Sequence, residues 1–215
     1  MTRRITFLHT APVHVATFSQ LASELAPSIP IVHLVAADLL AEARQHGLTP
    51  SLAERIDAIV AEQTHQGNMV VCTCSTIGGL AEQAGALRID RRMAEVAAQA
   101  SGRVLVAAAL ESTLEPTMRL LEDASMRMGR SIQPIMLHCQ GAWAYFEQGD
   151  QQGYLDQIEQ SLRQAFQPGD TIVLAQASMA AVAARCADLP IMILSSPRLG
   201  VIAALEQANS GAPPA

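Results

Sequence analysis

The sequence predicts an α/β fold made of two pseudo-symmetric lobes, each a parallel β-sheet flanked by helices. Three observations predict it. Short apolar, β-branched runs alternate with helix-period segments along nearly the whole chain, as consecutive βα units require. Several of those runs end abruptly in hydroxyls, thiols or glycines, as buried parallel strands do at the carboxyl edge of a sheet. The element order also restarts after about a hundred residues. Half of the 215 residues are hydrophobic but only 3% are aromatic, so Ala, Val, Leu, Ile and Met must build the core, and abundant Ala suits helices laid closely on a sheet.

In order, the strands are expected at 5–10, 31–36, 69–74 and 87–90, then at 104–110, 132–138, 171–174 and 190–194. Pro30 precedes the second, where a missing amide proton is tolerated. Helices are expected over 16–25, 38–46, 52–66 (capped by Ser51), 76–84 and 93–100 in the first half. In the second half they fall at 115–127, 142–147, 152–166, 179–186 and 199–208. A tail of Ser, Gly, Ala and Pro frays at the end. The spacing can be checked: His9 and Glu111 end the first strands of the two halves 102 positions apart, and Cys74 and Gln176 end the third strands at the same offset. Residues 1–98 therefore form a first lobe and 99–196 a second, an arrangement best explained by duplication. Two such lobes are expected to face each other across a cleft that holds the active site.

The bulk numbers remove whole classes of function. A net charge of −6 without a basic stripe argues against nucleic acid and anionic membrane surfaces as partners. No apolar run reaches the roughly 18 residues of a membrane span. Thr2-Arg3-Arg4 is a faint echo of an export signal, but His9, Pro12 and His14 interrupt the apolar stretch behind it, so a first strand is the better reading. Four cysteines in a chain of this length do not make a disulfide framework, and the cytoplasm is the expected compartment. Cys72-x-Cys74 has no second Cys/His pair at ligand spacing, so no metal is expected. Gly78-Gly79 is too short for a phosphate loop, and no dinucleotide fingerprint occurs; no cofactor is expected.

The chemistry centres on Met69-Val70-Val71-Cys72-Thr73-Cys74-Ser75-Thr76-Ile77-Gly78-Gly79. A thiol at the end of this strand lies at the positive end of the next helix, which favours thiolate and makes Cys74 the candidate reactive group. Its bland reading is a small core hydrophobe, which is the reading given to Cys72 and Cys186. His9 and Thr10 end the first strand, where His9 either touches substrate or satisfies a loop backbone. Glu111, Ser112 and Thr113 mirror them in the second half. Glu111 is a base or a clamp for His9; Ser112 and Thr113 are substrate contacts, unless Thr113 caps the following helix. Ser178 is a helix cap or a ligand contact. Arg91, Arg92 and Arg198 are surface charges or receivers of a second carboxylate. Trp143 and Tyr145, after strand-end Cys139, cover the cleft, anchor the second lobe or form a subunit contact.

VVCTCSTIGG resembles the first cysteine motif of the aspartate/glutamate racemase superfamily, which includes hydantoin racemases, maleate isomerases and arylmalonate decarboxylases. The likeness covers most of the chain, because TIVLAQASMA falls where the second cysteine motif belongs. In the amino-acid racemases of that family each lobe offers one cysteine, the two thiols exchange a proton with the substrate's α-carbon from opposite sides, and neither cofactor nor metal takes part. The resemblance implies Cys74 as the first-lobe thiol, Ser75 and Thr76 as carboxylate binders, and a C-terminal helix, 197–215, packed back on the first lobe. It also makes a homodimer a candidate assembly. At the second thiol's place stands Gln176, followed by Ala177 and Ser178. A glutamine amide donates hydrogen bonds but shuttles no proton at neutral pH. The expectation is a cofactor-independent isomerase of a small carboxylate (an amino acid, a dicarboxylate or a hydantoin-like molecule). Cys74 would supply the single thiol, acting by proton transfer at carbon or by nucleophilic addition, Gln176 would polarise the substrate, and Ser75, Thr76, Ala177 and Ser178 would cradle the carboxylate. The alternatives are a decarboxylase of a malonate-type substrate and a non-catalytic carboxylate-binding protein.

Overall fold

A computed structural model describes residues 4–100 and 102–210. The Thr2-Arg3 opening and the tail 211–215 lie outside them. The chain forms two compact units, one of residues 4–92 with 197–210, the other of residues 93–196.

In the first unit, β1 (Ile5–His9), β2 (Ile31–Val35), β3 (Met69–Cys72) and β4 (Leu87–Arg88) form one parallel sheet in the order β2-β1-β3-β4. The two central strands are buried along their whole length, whereas the edge strand β2 alternates half-buried with exposed residues. That contrast is why β3 reads as an unbroken apolar run and β1 as a mainly apolar one, broken by Thr6 and ended by His9. The connecting helices are α1 (Val13–Leu25), α2 (Ala37–His46), α3 (Pro50–His65) and α4 (Ser75–Gln83). Successive strand residues point to opposite faces, and the unit uses both. Leu8, Val70 and Cys72 pack with Leu39 of α2, Leu52, Ile56 and Val60 of α3, and Ile77 and Ala81 of α4. On the other face Phe7 and His9 meet Phe18 of α1, at ring separations of 5.3 and 5.4 Å.

The second unit repeats the plan. After α5 (Arg91–Ala100) come β5 (Gly102–Ala108), α6 (Leu114–Arg127), β6 (Ile132–His138), α7 (Ala142–Glu147), α8 (Gln151–Ala165), β7 (Thr171–Leu174), α9 (Val182–Arg185) and β8 (Met192–Ser195). The parallel sheet runs β6-β5-β7-β8, the same order of first, second, third and fourth strands. Its core joins Leu105, Ala107, Ile172 and Leu174 to Tyr154, Ile158 and Leu162 of α8, with Trp143 and Phe146 packed at its margin. Trp143 and Phe146 thus anchor to this core, while Tyr145 is exposed. The last helix, α10 (Ser196–Ser210), lies against the first unit: Gly200 is so close to the Ile89 carbonyl oxygen that a Cβ there would overlap it, and Arg198 pairs with Glu24 at 2.8 Å.

Register shows which residues correspond. Leu8 pairs with Cys72 in the first sheet and Ala107 with Leu174 in the second. The Thr73 amide donates to Leu8 O, and the Ala175 amide to Ala107 O. The third strands therefore keep the offset of 102, and Gln176 does occupy the position of Cys74. The first strands do not: His9 corresponds to Ala108, because the Ala36 amide donates to His9 O and the Cys139 amide to Ala108 O. Glu111 is no mirror of His9; the segment before it is three residues shorter than the spacing implied.

Helix termini differ where cap chemistry decided. Thr49, not Ser51, caps α3, its hydroxyl accepting the Leu52 amide at 3.2 Å, with Pro50 in the first turn. The helix expected over 179–186 is a 3₁₀ turn at Ala177–Met179 followed by only the four residues of α9.

Candidate active site

β3 ends at Cys72, Thr73 and Cys74 follow in extended backbone, and α4 begins at Ser75. Cys74 stands at the N-cap and its side chain makes no capping bond. Of the four cysteines, Cys72, Cys139 and Cys186 are buried and Cys74 is half-buried. Burial pushes the Cys72 thiol far up, Cys139 up to about 11, and Cys186 upward as well. Those three are core thiols. Cys74 alone among them combines access with a place at the start of a helix.

The residues on either side of Cys74 are tied inward. The Thr73 hydroxyl donates to Leu8 O at 3.1 Å, so its oxygen accepts from His9 Nδ1 at 2.8 Å. His9 Nε2 is then the unprotonated nitrogen and accepts from His33 Nδ1 at 2.8 Å. His33 Nε2 in turn accepts from the Ser19 hydroxyl at 2.8 Å. One run of donors, Ser19 to His33 to His9 to Thr73 to Leu8 O, thus assigns both tautomers. Burial, with His14 and His33 nearby, lowers His9 to about 3, and burial lowers His14 to about 4. Both imidazoles are neutral at pH 7. His9 is fully buried with both ring nitrogens engaged by side chains, Thr73 and His33, and not by the loop backbone that the sequence reading offered as the alternative to substrate. Thr10, beside it, is buried too.

On the other side, Ser75 is 5% exposed and hydrogen-bonds the Asp90 carboxylate. A carboxylate only accepts, so Ser75 donates. Asp90 is also gripped by Arg88 through two bonds, Nε to Oδ1 at 2.9 Å and Nη2 to Oδ2 at 3.0 Å. Burial alone would raise the Asp90 carboxyl, but the Arg88 charge and hydrogen bond, helped by Ser75, hold it below the usual carboxylate range. Burial likewise works against the Arg88 cation, and Asp90 outweighs it. The guanidinium lies along α4: a Cβ on Gly78 would stand 3.0 Å from Arg88 Nε, and one on Gly79 3.6 Å from Nη1. The glycine pair is the space that Arg88 fills. Thr76, next in the helix, is buried.

In the second unit Gln176 precedes the 3₁₀ turn. Its Oε1 accepts the Ala109 and Leu110 amides at 2.7 and 3.0 Å. That oxygen closes the end of β5 and leaves the amide NH2 as the group able to donate. Ala177 is buried. The Ser178 hydroxyl pairs with Tyr154 Oη at 2.7 Å. Glu111 is exposed, and Thr113 is buried at the N-terminus of α6 without capping it through its side chain. The Ser112 hydroxyl is the exception, a buried Oγ with no hydrogen-bond partner among the described residues, as a ligand contact would be. Arg91 pairs with Glu82 at 2.9 Å, so both it and Arg198 are already matched with carboxylates.

Sequence reasoning missed Thr73, His33, Ser19, Arg88 and Asp90. The usable signal was Arg88-Ile89-Asp90, two opposite charges inside an apolar strand pattern directly after a helix with adjacent glycines. No group of three or more His, Cys, Asp or Glu side chains among the described residues is placed to hold a metal.

No family sequence profile matches the chain, and a search of curated proteins returned no match. Solved structures do match. Aspartate racemase from Picrophilus torridus superposes with a TM-score of 0.69 at 14% identity, covering 97% of this chain and 95% of that one. Glutamate racemase isoform RacE1 from Bacillus anthracis gives 0.68 at 15% identity, covering 97% and 83%. The chain has the aspartate/glutamate racemase fold. Allantoin racemase from Pseudomonas fluorescens shares it with a TM-score of 0.59 at 15% identity over 99% and 93%. The expected architecture of two four-stranded parallel sheets with flanking helices is therefore the observed one. No helix among the described residues is long and apolar enough to cross a membrane.

Proposed function

We propose that this protein is a cofactor-independent enzyme of the racemase type that moves a proton at a carbon next to a carboxylate, with Cys74 as its only thiol base and acid. The observation that carries the reading is the register correspondence between Cys74 and Gln176. Thiolate sulfur takes the proton from carbon, the electron pair delocalises into the carboxylate, and the resulting S–H returns a proton to the same face. Hydrogen-bond donors placed where negative charge develops make that carbanion accessible. The first-turn amides of α4 lack partners within the helix and, with Thr76, are the proposed donors. Ser75 is reassigned from ligand to support, because its proton goes to Asp90. Gln176 cannot accept a proton from carbon, so inversion by two thiols is not expected. Returned to the same carbon, the proton gives exchange with retention; returned to another carbon of a delocalised anion, it gives an isomer; and where loss of CO2 generates the carbanion, the Cys74 S–H protonates it from one face.

The test is hydrogen exchange in deuterium oxide followed by NMR, with aspartate, glutamate, allantoin, maleate and substituted malonates. Wild type is expected to exchange or decarboxylate one of these classes with retention, and Cys74→Ser to lose at least about a hundredfold in rate, the scale of a positioned acid–base group. A Cys74→Ser variant as fast as wild type would remove Cys74 from the chemistry.

A further inference from the structure

The Arg88–Asp90 pair is buried, with side chains 5% and 1% exposed. Placing two charges in a core is costly unless geometry and hydrogen bonding repay the lost hydration. Accommodating Arg88 also requires glycine within α4, where alanine would make a better helix. A charged pair of this kind is not what a strand next to a packed helix needs for burial alone.

The second unit supplies the comparison. By register Arg88 corresponds to Ser195, since Cys72 pairs with Arg88 and Leu174 with Ser195. Two residues on, Asp90 corresponds to Pro197, and Ser75 corresponds to Ala177. At the strand end that carries glutamine, the corresponding Ser195, Pro197 and Ala177 supply no guanidinium, no carboxylate and no hydroxyl at the helix start, where a 3₁₀ turn stands instead. The network accompanies the thiol.

We propose that Asp90, held by Arg88, is a positioning residue for Cys74, fixing the first turn of α4 through the Ser75 hydroxyl. The inference rests on Cys74 being the reacting group. Because Cys74 does not cap α4 with its own side chain, the tether on the next residue holds the first-turn amides at the sulfur. Without it that turn frays, and a reaction needing the sulfur at the positive end of the helix slows.

The measurement is the rate of Cys74 alkylation by iodoacetamide in the full-length protein, read by peptide mass spectrometry, with Cys74→Ser marking background. Ser75→Ala and Asp90→Asn are each expected to slow it about tenfold, below the roughly hundredfold that a misplacement of 1 Å can cost. The double variant is expected to be no slower than the slower single one, because both act through one tether. Leu121→Ala, which removes a fully buried side chain of α6, controls for general destabilisation and is expected to keep the wild-type rate. Ser75→Ala reacting at the wild-type rate, multiplicative losses in the double variant, or equal slowing in Leu121→Ala would each overturn the proposal. Should Asp90→Asn not fold, Ser75→Ala against Leu121→Ala decides alone. No substrate is involved, so slowed alkylation without any Cys74-dependent exchange removes the enzymatic reading and leaves the tether; exchange with unaltered alkylation does the reverse.

Discussion

Thr73 has one hydroxyl proton, and the Leu8 carbonyl takes it. From that fact the whole run to Ser19 is directional, with His9 and His33 each neutral in a defined tautomer. A proton added to His9 would set two N–H groups against each other at its contact with His33. The folded protein therefore binds protons on His9 and His14 only near pH 3 and 4, whereas the unfolded chain binds them near 6.5. Between those values the unfolded state holds more protons, so stability rises with pH across the window and is lost as pH falls from about 6.5 toward 3. Urea midpoints measured from pH 7.5 to pH 4 are expected to fall throughout. His9→Phe, which keeps the ring contacts to Phe7 and Phe18 and removes a proton site, is expected to flatten the slope while lowering the midpoint at pH 7.5. An unchanged slope would place the acid sensitivity elsewhere. None of this was legible in the sequence: His9 and His33 lie 24 positions apart, and only the pairing of β1 with β2 brings them together.

At the scale of elements, strand and helix order was legible because burial on both faces writes an unbroken apolar run, and α4 announced itself by Cys-Ser-Thr followed by helical spacing. The role of its glycines was not, since Gly78 and Gly79 answer to a side chain of β4. Three alanine substitutions separate their contributions. Gly79→Ala meets only the far end of Arg88 at 3.6 Å and is expected to gain up to about 1 kcal/mol from helix propensity. Gly78→Ala presses on the guanidinium at 3.0 Å, which cannot yield without loosening its grip on Asp90. It is expected to lose roughly 1–3 kcal/mol, as overpacking does. Gly200→Ala in α10 meets the Ile89 carbonyl, which is backbone, and is expected to be the most damaging of the three. Equilibrium urea unfolding of the full chain orders them, and a Gly79→Ala less stable than Gly78→Ala would show that the guanidinium is not the constraint.

Across the whole molecule, two copies of one topology have assigned different work to one position. The repeat was legible in the restart of the element order and in the constant offset of the third strands. The shorter segment before Glu111 was not, because length alone does not say which side of a strand end lost residues. At that shared position Cys74 leaves its sulfur without a capping duty, while Gln176 accepts two backbone amides and closes the end of β5. This makes a thiol at position 176 costly. Sulfur is a weak acceptor, so Gln176→Cys leaves the Ala109 and Leu110 amides without their partner. An unsatisfied buried donor costs about 1–3 kcal/mol, so the variant, with two, is expected to lose roughly 2–6 kcal/mol in urea unfolding. Gln176→Glu, whose carboxylate still accepts both amides, is expected to lose far less at pH 7. Equal losses in the two variants would mean that the contacts of the side-chain oxygen are not what the second unit requires, and that the glutamine is retained for its NH2 group instead.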